Sequence, residues 1–192
     1  VARRSPLTMG CSVTFEQSYG GIDGDSASST EVYAILSALS GIGIRQNIAV
    51  TGSVDQYGNV QAIGGVNEKI EGFFKVCGSD ELTGDQGVMI PSSNVGDLHL
   101  SEEVVAAVED GKFHVWSVDS IYDGIEQLTG VPAGKWDDEG GWTENSIFAA
   151  CQSRLDEMVG FMRQAAKGGT TGAEPDANDA ESPEAGKKEQ FL

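Results

Sequence analysis

Apolar and polar positions follow two different spacings along the first two thirds of the chain. In residues 11–17 apolar and polar side chains alternate from Cys11 to Glu16, which predicts a half-buried strand. Residues 26–39 instead place Val32, Ile35, Leu36 and Leu39 on one face of a predicted helix. Residues 47–53 contain several β-branched side chains and predict another strand.

The alternation of strand and helix spacing continues to residue 128. Residues 49–54 and 60–63 flank a turn with Gly58 and predict a hairpin. Helices are predicted at residues 67–77, 102–109 and 120–128, and strands at residues 87–90 and 113–118. Many of the 26 glycines lie between these segments. This arrangement is typical of an α/β domain with tight turns.

The pattern changes after residue 132. Residues 1–132 are predicted to form one domain, and the composition of residues 133–142 is typical of a linker. Residues 143–166 predict an amphipathic helix that acts as a packing arm, with apolar positions at Ile147, Phe148, Cys151, Leu155, Met158, Val159 and Met162. Residues 167–192 carry few large apolar side chains and predict a disordered acidic tail.

The charge of the chain excludes several kinds of partner. The 192 residues contain 12 Lys and Arg against 30 Asp and Glu, a formal net charge of −18. A protein that binds nucleic acid through its phosphates needs a basic face, and anionic membrane surfaces repel the same excess of acid. No apolar run approaches the roughly 20 residues of a membrane span. We therefore expect no nucleic-acid or membrane partner.

Cysteine usage and the start of the chain bear on its location. Cys11, Cys77 and Cys151 are odd in number and widely spaced, which favours free thiols in a reducing cytoplasm over a disulfide framework. The first residues lack the apolar stretch of a secretion signal. Because the chain starts at Val1 rather than Met, we expect a fragment of a longer cytoplasmic protein.

Signatures of several common sites are absent from the sequence. There is no G-x-x-x-x-G-K-[ST] phosphate loop, and no His/Cys spacing typical of zinc. The residues around Asp23 do not supply a calcium loop. The two histidines, His99 and His114, have no G-x-S-x-G nucleophile elbow to accompany them. We therefore expect no metal and no cofactor in this chain, and a Ser-His-Asp triad is poorly supported.

The first segment with candidate chemistry is a glycine-rich loop that ends at a hydroxyl residue. It comprises residues 19–28, YGGIDGDSAS, and places Ser26 where the predicted helix begins. Ser26 could simply cap that helix, with Asp25 favourable near its positive end. Alternatively, the backbone N–H groups that converge there could stabilise an oxyanion on a group attacked by Ser26.

The second segment places a lysine in the first turn of a helix. In residues 63–71, IGGVNEKIE, Lys69 follows a Gly-Gly break. A solvated surface lysine near Glu68 and Glu71 is one interpretation. The other is a general base, which must be neutral to accept a proton, and a positive helix end favours the neutral amine.

Together the two segments resemble the proteolytic domain of the Lon family, and within it the LonB-type and Lon-like ATP-dependent proteases. The nucleophile motif reads GDSAS at residues 24–28 and the lysine motif GGVNEK at residues 64–69. Residues 49–54, AVTGSV, lie between them, and residues 91–94, PSSN, follow. Bacterial LonA motifs have Pro and Gly where this chain has Asp25 and Ser28, which favours the LonB-like branch. The resemblance covers residues 12–130.

The resemblance implies a role for individual residues and an α/β (α+β) fold with small mixed sheets and packed helices. Ser26 corresponds to the nucleophile and Lys69 to the general base of a Ser-Lys dyad, and Thr51 to the threonine that orients the lysine amine. Asp23 and Asp25 correspond to acidic positions that orient the dyad or hold it inactive. The oxyanion donors are expected to be the backbone N–H groups of Asp25, Ser26 and Ala27.

The resemblance also implies a larger assembly. Lon proteases couple this domain to an AAA+ ATPase that unfolds polypeptide substrates, usually in a hexameric ring. ATP and Mg²⁺ are therefore expected only in an ATPase domain outside this chain. The sequence leaves two functions open: a serine endopeptidase that degrades unfolded or damaged proteins, and a non-catalytic ring-forming module with its dyad held inactive. The presence of Ser26, Thr51 and Lys69 together favours the endopeptidase. A related kinase or ribosomal-type domain lacks support, since phosphate loop and basic charge are both missing.

Overall fold

The structure is a computed structural model that describes residues 9–14 and 24–168. Within these ranges the chain forms small sheets surrounded by helices, in the order α1 (Ser28–Ser40), β1 (Ile48–Val50), β2 (Ser53–Val54), β3 (Val60–Gln61), α2 (Val66–Cys77), β4 (Gln86–Pro91), α3 (Glu102–Glu109), β5 (Phe113–Val118), α4 (Ile121–Thr129) and α5 (Ile147–Gly168). Two 3-10 turns, Ser79–Glu81 and Ser92–Asp97, flank β4. The mixed α/β fold class predicted from the sequence is confirmed.

A three-stranded parallel sheet with the order β1-β4-β5 lies at the centre of the fold. Residues 87–91 of β4 are all buried, as expected for the middle strand of a parallel sheet covered on both faces. Successive side chains of a strand point to opposite faces. Met89 accordingly joins one hydrophobic cluster while Val88 and Ile90 join the other.

The two clusters are covered by different helices. On one face Ile70 and Phe74 of α2 and Val104 of α3 pack near Phe113. On the other face Tyr33 and Leu36 of α1, Ile125 and Leu128 of α4, and the start of α5 enclose Met89. The sheet is therefore buried between α2 and α3 on one side and α1, α4 and α5 on the other.

The prediction of a single strand at residues 47–53 is wrong. It divides into β1, which pairs in parallel with β4, and β2, which forms a short antiparallel hairpin with β3. Thr51 and Gly52 lie between the two strands. A Cβ on Gly52 would lie 2.8 Å from Cγ1 of Val60 and 3.2 Å from Oγ of Ser29, so only glycine fits where the chain passes from one sheet to the other.

The N-terminal prediction also needs correction. Residues 11–14 form no regular element, although a strand was predicted at residues 11–17. Residues 15–17 lie outside the described residues. Alternation alone did not specify a partner strand, and a strand forms only where its backbone groups can pair.

Residues 133–142, predicted as a linker, pack against the domain. Ala133 and Trp142 are buried in the cluster that contains α1 and α4. The rings of Trp136 and Trp142 meet edge to face, with their centroids 5.2 Å apart. Hydrophilic composition predicted a linker here, but two tryptophans supply enough apolar surface to hold the segment in place.

Helix α5 is longer than predicted at its C-terminal end and begins later, at Ile147. Its first turns are buried at Ile147, Phe148, Cys151 and Leu155, whereas Phe161 and Met162 are exposed. The tail predicted after residue 166 lies outside the described residues, except that Lys167 and Gly168 end the helix. No helix in the described ranges has the length and hydropathy needed to cross a membrane.

Candidate active site

Ser26 lies in a turn that enters α1, and this turn (residues 24–27) is called the Ser26 turn below. The helix begins at Ser28, its N-cap position is Ala27, and no side chain caps it. The interpretation of Ser26 as a helix cap is therefore wrong. Instead, the carbonyl oxygen of Ser26 accepts hydrogen bonds from the backbone N–H of Gly52 at 2.8 Å and from Oγ1 of Thr51 at 3.2 Å.

Lys69 enters the same region from α2. Gly65 precedes this helix in a left-handed conformation, with φ of 70°, and accepts the backbone N–H of Lys69. The half-buried Lys69 side chain donates from Nζ to Oγ1 of Thr51 at 3.1 Å. Among the described residues no carboxylate forms an ion pair with Lys69, and Glu71 accepts the N–H of Ser101 instead. This geometry favours a directed amine over a solvated surface lysine.

Thr51 connects the two candidate residues. Its side chain is 7% exposed, and its backbone N–H donates to the carbonyl of Met89 in β4 at 3.1 Å. A hydroxyl has one proton and two acceptor sites. Since its proton goes to the carbonyl of Ser26, the lone pairs of Thr51 are available to accept from Lys69. The amine of Lys69 is thereby oriented relative to the Ser26 turn.

Of the two acidic candidates, the structure describes only Asp25. Asp25 accepts a hydrogen bond at Oδ2 from Oγ of Ser53, at 2.8 Å. Neither of the ion pairs within the described residues involves Asp25. Asp23 lies outside the described residues. The carboxylate of Asp25 is thus bonded to Ser53 and forms no ion pair with Lys69.

The backbone N–H groups proposed as oxyanion donors face no acceptor in the described part of the chain. The N–H of Ser28 donates to the carbonyl of Asp25, and the N–H of Thr30 to that of Ala27. No described acceptor is bonded to the N–H groups of Asp25, Ser26 or Ala27. Donors at the start of a helix that lack internal partners can bind a developing negative charge.

Two serines near the site were not singled out as site residues from the sequence. Ser53 donates to Asp25, and Ser28 accepts the N–H of Val54 at Oγ, at 3.0 Å. Both bonds join the Ser26 turn or the start of α1 to β2, across 28 and 26 positions of sequence. Sequence spacing contains no signal for such pairs, because they arise only where β2 contacts the start of α1.

The described residues contain no candidate metal site. No group of three or more His, Cys, Asp or Glu side chains among them could hold a metal ion. The Ser26 turn brings together a hydroxyl, the Asp25 carboxylate and backbone N–H groups, and Thr51 directs the Lys69 amine toward it.

Comparisons with known proteins identify a family of similar chains. A model of the Lon protease (S16) C-terminal proteolytic domain matches residues 19–129. A putative Lon protease homolog of Escherichia coli strain K12 is 52% identical over 149 residues, which cover 78% of this chain and 24% of that protein. A putative Lon protease homolog of Haemophilus influenzae is 49% identical over 126 residues, or 66% of this chain and 21% of that protein.

Archaeal proteins are similar as well. An archaeal Lon protease of Methanocaldococcus jannaschii is 46% identical over 92 residues, which cover 48% of this chain and 13% of that protein. The chain thus spans about a quarter or less of the length of these curated relatives. The family predicted from the motifs around Ser26 and Lys69 is confirmed. The chain belongs to the family of Lon protease (S16) C-terminal proteolytic domains.

Proposed function

We propose that this chain is a serine endopeptidase domain in which Ser26 is the nucleophile and Lys69 the general base. Membership of a protease family supports a protease function. The observation that carries the mechanism is a pair of hydrogen bonds at Oγ1 of Thr51. Nζ of Lys69 donates to Oγ1 at 3.1 Å, and Oγ1 donates to the carbonyl of Ser26 at 3.2 Å. This pair brings an amine from α2 to the turn that holds the hydroxyl.

The hydrogen bond from Lys69 to Thr51 orients the amine for proton transfer in the proposed reaction. A neutral lysine amine carries two protons and one lone pair. Donating one proton to Thr51 restricts rotation of the amine, so that its lone pair can be aimed at the hydroxyl of Ser26. Lys69 accepts the Ser26 proton while Oγ forms a bond to the substrate carbonyl carbon.

The same lysine completes the proposed cycle. The Lys69 ammonium gives its proton to the leaving amine as the peptide C–N bond breaks, which leaves an ester on Ser26. Lys69 then accepts a proton from water as the water oxygen attacks the ester. The proton returns to Oγ of Ser26 when the ester bond breaks, and the product leaves with a new carboxyl group.

Backbone groups are proposed to stabilise the tetrahedral intermediates. The N–H groups of Asp25, Ser26 and Ala27 lie immediately before α1 and have no bonded acceptor among the described residues. Fixed donors of this kind need little reorganisation as charge develops on the substrate oxygen. Removal of one such donor in other enzymes costs about 100- to 1000-fold in rate, so rigidity of the Ser26 turn matters.

Properties of the whole protein extend this proposal. The substrates are proposed to be unfolded or damaged polypeptides, degraded in the cytoplasm. An AAA+ ATPase domain elsewhere in the full-length protein would supply ATP-dependent unfolding, with ATP and Mg²⁺ bound there, and a homo-hexameric ring would enclose the sites. This chain spans about a quarter of the Escherichia coli relative, so such a domain has room outside it.

Covalent labelling tests the proposed nucleophile. The chain is incubated with a peptidyl β-lactone, which acylates serine nucleophiles, and the modified residue is located by peptide mass mapping. We expect a stoichiometric ester on Ser26 and none in Ser26→Ala. Ser37→Ala provides a control, since Ser37 lies at the other end of α1. A fully folded chain with no ester at Ser26 would instead support the non-catalytic assembly module.

A further inference from the structure

Three consecutive residues, Thr51, Gly52 and Ser53, each donate a hydrogen bond to the Ser26 turn. Thr51 and Gly52 both donate to the carbonyl of Ser26, and Ser53 donates from Oγ to Oδ2 of Asp25 at 2.8 Å. The turn is therefore held at its backbone and at its one charged side chain from the same short segment. The first two contacts involve the proposed nucleophile itself, whereas the third has no assigned role.

Ser53 and Asp25 differ in how deeply they are buried. Ser53 is 4% exposed and lies at the start of β2, paired with Gln61 of β3, so its position is determined by the hairpin. Asp25 is exposed and lies in the turn. A hydrogen bond to a carboxylate is shorter and roughly twice as strong as one between neutral groups. The rigid, buried partner thus restrains the exposed one.

We propose that Ser53 is a positioning residue for the dyad: its hydroxyl holds Asp25 and thereby fixes the peptide group that precedes Ser26. This inference rests on the proposed function, because it assigns the restraint a purpose in acylation of Ser26. Ser53 contacts neither substrate nor reacting atoms. It acts through Asp25, whose backbone continues directly into Ser26.

The consequence for the reaction follows from where the restraint acts. The N–H of Ser26 belongs to the peptide group between Asp25 and Ser26, which is one of the proposed oxyanion donors. With the side chain of Asp25 released, this peptide group keeps only the bond from the N–H of Ser28 to the carbonyl of Asp25, at 2.9 Å, and can shift about it, while the carbonyl of Ser26 stays bound to Gly52. A displacement of about 1 Å in a catalytic group can cost about 100-fold in rate. Binding of substrate or probe should be affected much less.

The experiment measures acylation of Ser26 by the peptidyl β-lactone in the full chain, as a maximal rate kinact and a half-saturating concentration KI. We expect Ser53→Ala to lower kinact by about 10- to 100-fold with KI unchanged within about twofold. Ser53→Thr retains the hydroxyl on a strand residue and should keep kinact within a few-fold of the original chain.

A matched control separates positioning from a general loss of stability. Ser37 is partly buried and, like Ser53, donates its hydroxyl proton, in this case to the backbone carbonyl of Ile42 at 2.7 Å. Ser37→Ala removes a hydrogen bond between two neutral groups at the far end of α1. It should lower the melting temperature, although less than Ser53→Ala does, while leaving kinact unchanged.

A double-variant cycle tests whether Ser53 acts through Asp25. If the two residues form one unit, Ser53→Ala/Asp25→Ala should show no further loss of kinact beyond Ser53→Ala alone. Multiplicative losses would overturn the inference. An unchanged kinact in Ser53→Ala would overturn it too, while leaving the dyad intact. Absence of any ester at Ser26 in the original chain would overturn the proposed function and this inference together.

Discussion

The Ser26 turn and α5 are held to the same domain by different forces. The Ser26 turn receives directional hydrogen bonds from residues 51–53 and contributes little to the apolar clusters. Helix α5 is held by apolar packing of its first turns, with Phe148 1% exposed and Cys151 fully buried. Hydrogen bonds define orientation, whereas apolar burial is roughly proportional to area and has no direction. The orientation of the candidate site and the stability of the domain therefore depend on separate parts of this molecule.

The boundary of the family match follows the same division. The matched residues 19–129 include both motifs and residues 51–53 but end before α5. Beyond that boundary, the segment with Trp136 and Trp142 and the first turns of α5 complete one hydrophobic cluster. This comparison predicts that changes in the site alter activity more than stability, and that changes in α5 do the reverse.

The largest expected effect is loss of activity in Lys69→Met. Removal of the general base should lower peptide cleavage and Ser26 acylation by at least about 1000-fold, by analogy with single deletions in other hydrolase sites. Methionine retains much of the apolar stem, so the melting temperature should change little. Cleavage of a fluorogenic peptide and thermal melts measure the two effects.

Lys75→Met is the matched control for this prediction. Lys75 lies on the same helix, α2, in its last turn, and is exposed. Its replacement should leave cleavage unchanged. Cleavage by Lys69→Met at the level of this control would exclude Lys69 as the base.

Phe148→Ala should show the opposite behaviour. Truncation of a buried phenylalanine costs about 3–5 kcal/mol, so the melting temperature should fall by on the order of 10 °C. Below the new transition, acylation of Ser26 per folded molecule should stay close to the original rate. Phe161→Ala is the control, because Phe161 lies on the same helix but is 66% exposed and should change the melting temperature little. If Phe148→Ala abolished acylation while folded, the separation of the two regions would be incorrect.

Alkaline pH should weaken the attachment of α5 by a smaller amount. Burial raises the pKa of the Cys151 thiol to about 11, from an ordinary value near 9. Between these values the folded state binds more protons than the unfolded state, so the free energy of unfolding falls as pH rises. The contribution is fully present below about pH 9 and is lost toward about pH 11, by on the order of 2 kcal/mol.

Melting temperatures recorded from neutral to alkaline pH test this prediction. Cys151→Ala should be less stable at neutral pH but should show a shallower alkaline decline. Burial also raises the pKa of Cys77, which is less buried than Cys151. Cys77→Ala should therefore alter the decline less. Identical declines in the original chain and in Cys151→Ala would show that another group causes alkaline unfolding.

The local pattern of apolar and polar residues predicted some elements correctly. The helix predicted at residues 102–109 and the strand predicted at residues 113–118 match α3 and β5. In contrast, residues 47–53 look like one strand but belong to two sheets. The break at Thr51 and Gly52 depends on the approach of α1, which no local propensity encodes.

The candidate site shows the same distinction. Ser26 and Lys69 stood out because a hydroxyl and a lysine each follow a glycine-rich break at the start of a helix. Thr51 was identified through the family resemblance, and the structure gives it two partners that are 25 and 18 residues away. Ser53 had no such signal, since a serine at the start of a strand is common.

The family, the fold class and the residues available for chemistry follow from the sequence alone, because motif order and apolar spacing are properties of the chain. The tertiary structure decided which polar groups meet: Thr51 with Ser26 and Lys69, and Ser53 with Asp25. It also decided that residues 133–142 pack rather than link. Hydrogen bonds require partners within about 3 Å, and only the complete packing of helices on the sheets brings distant residues that close.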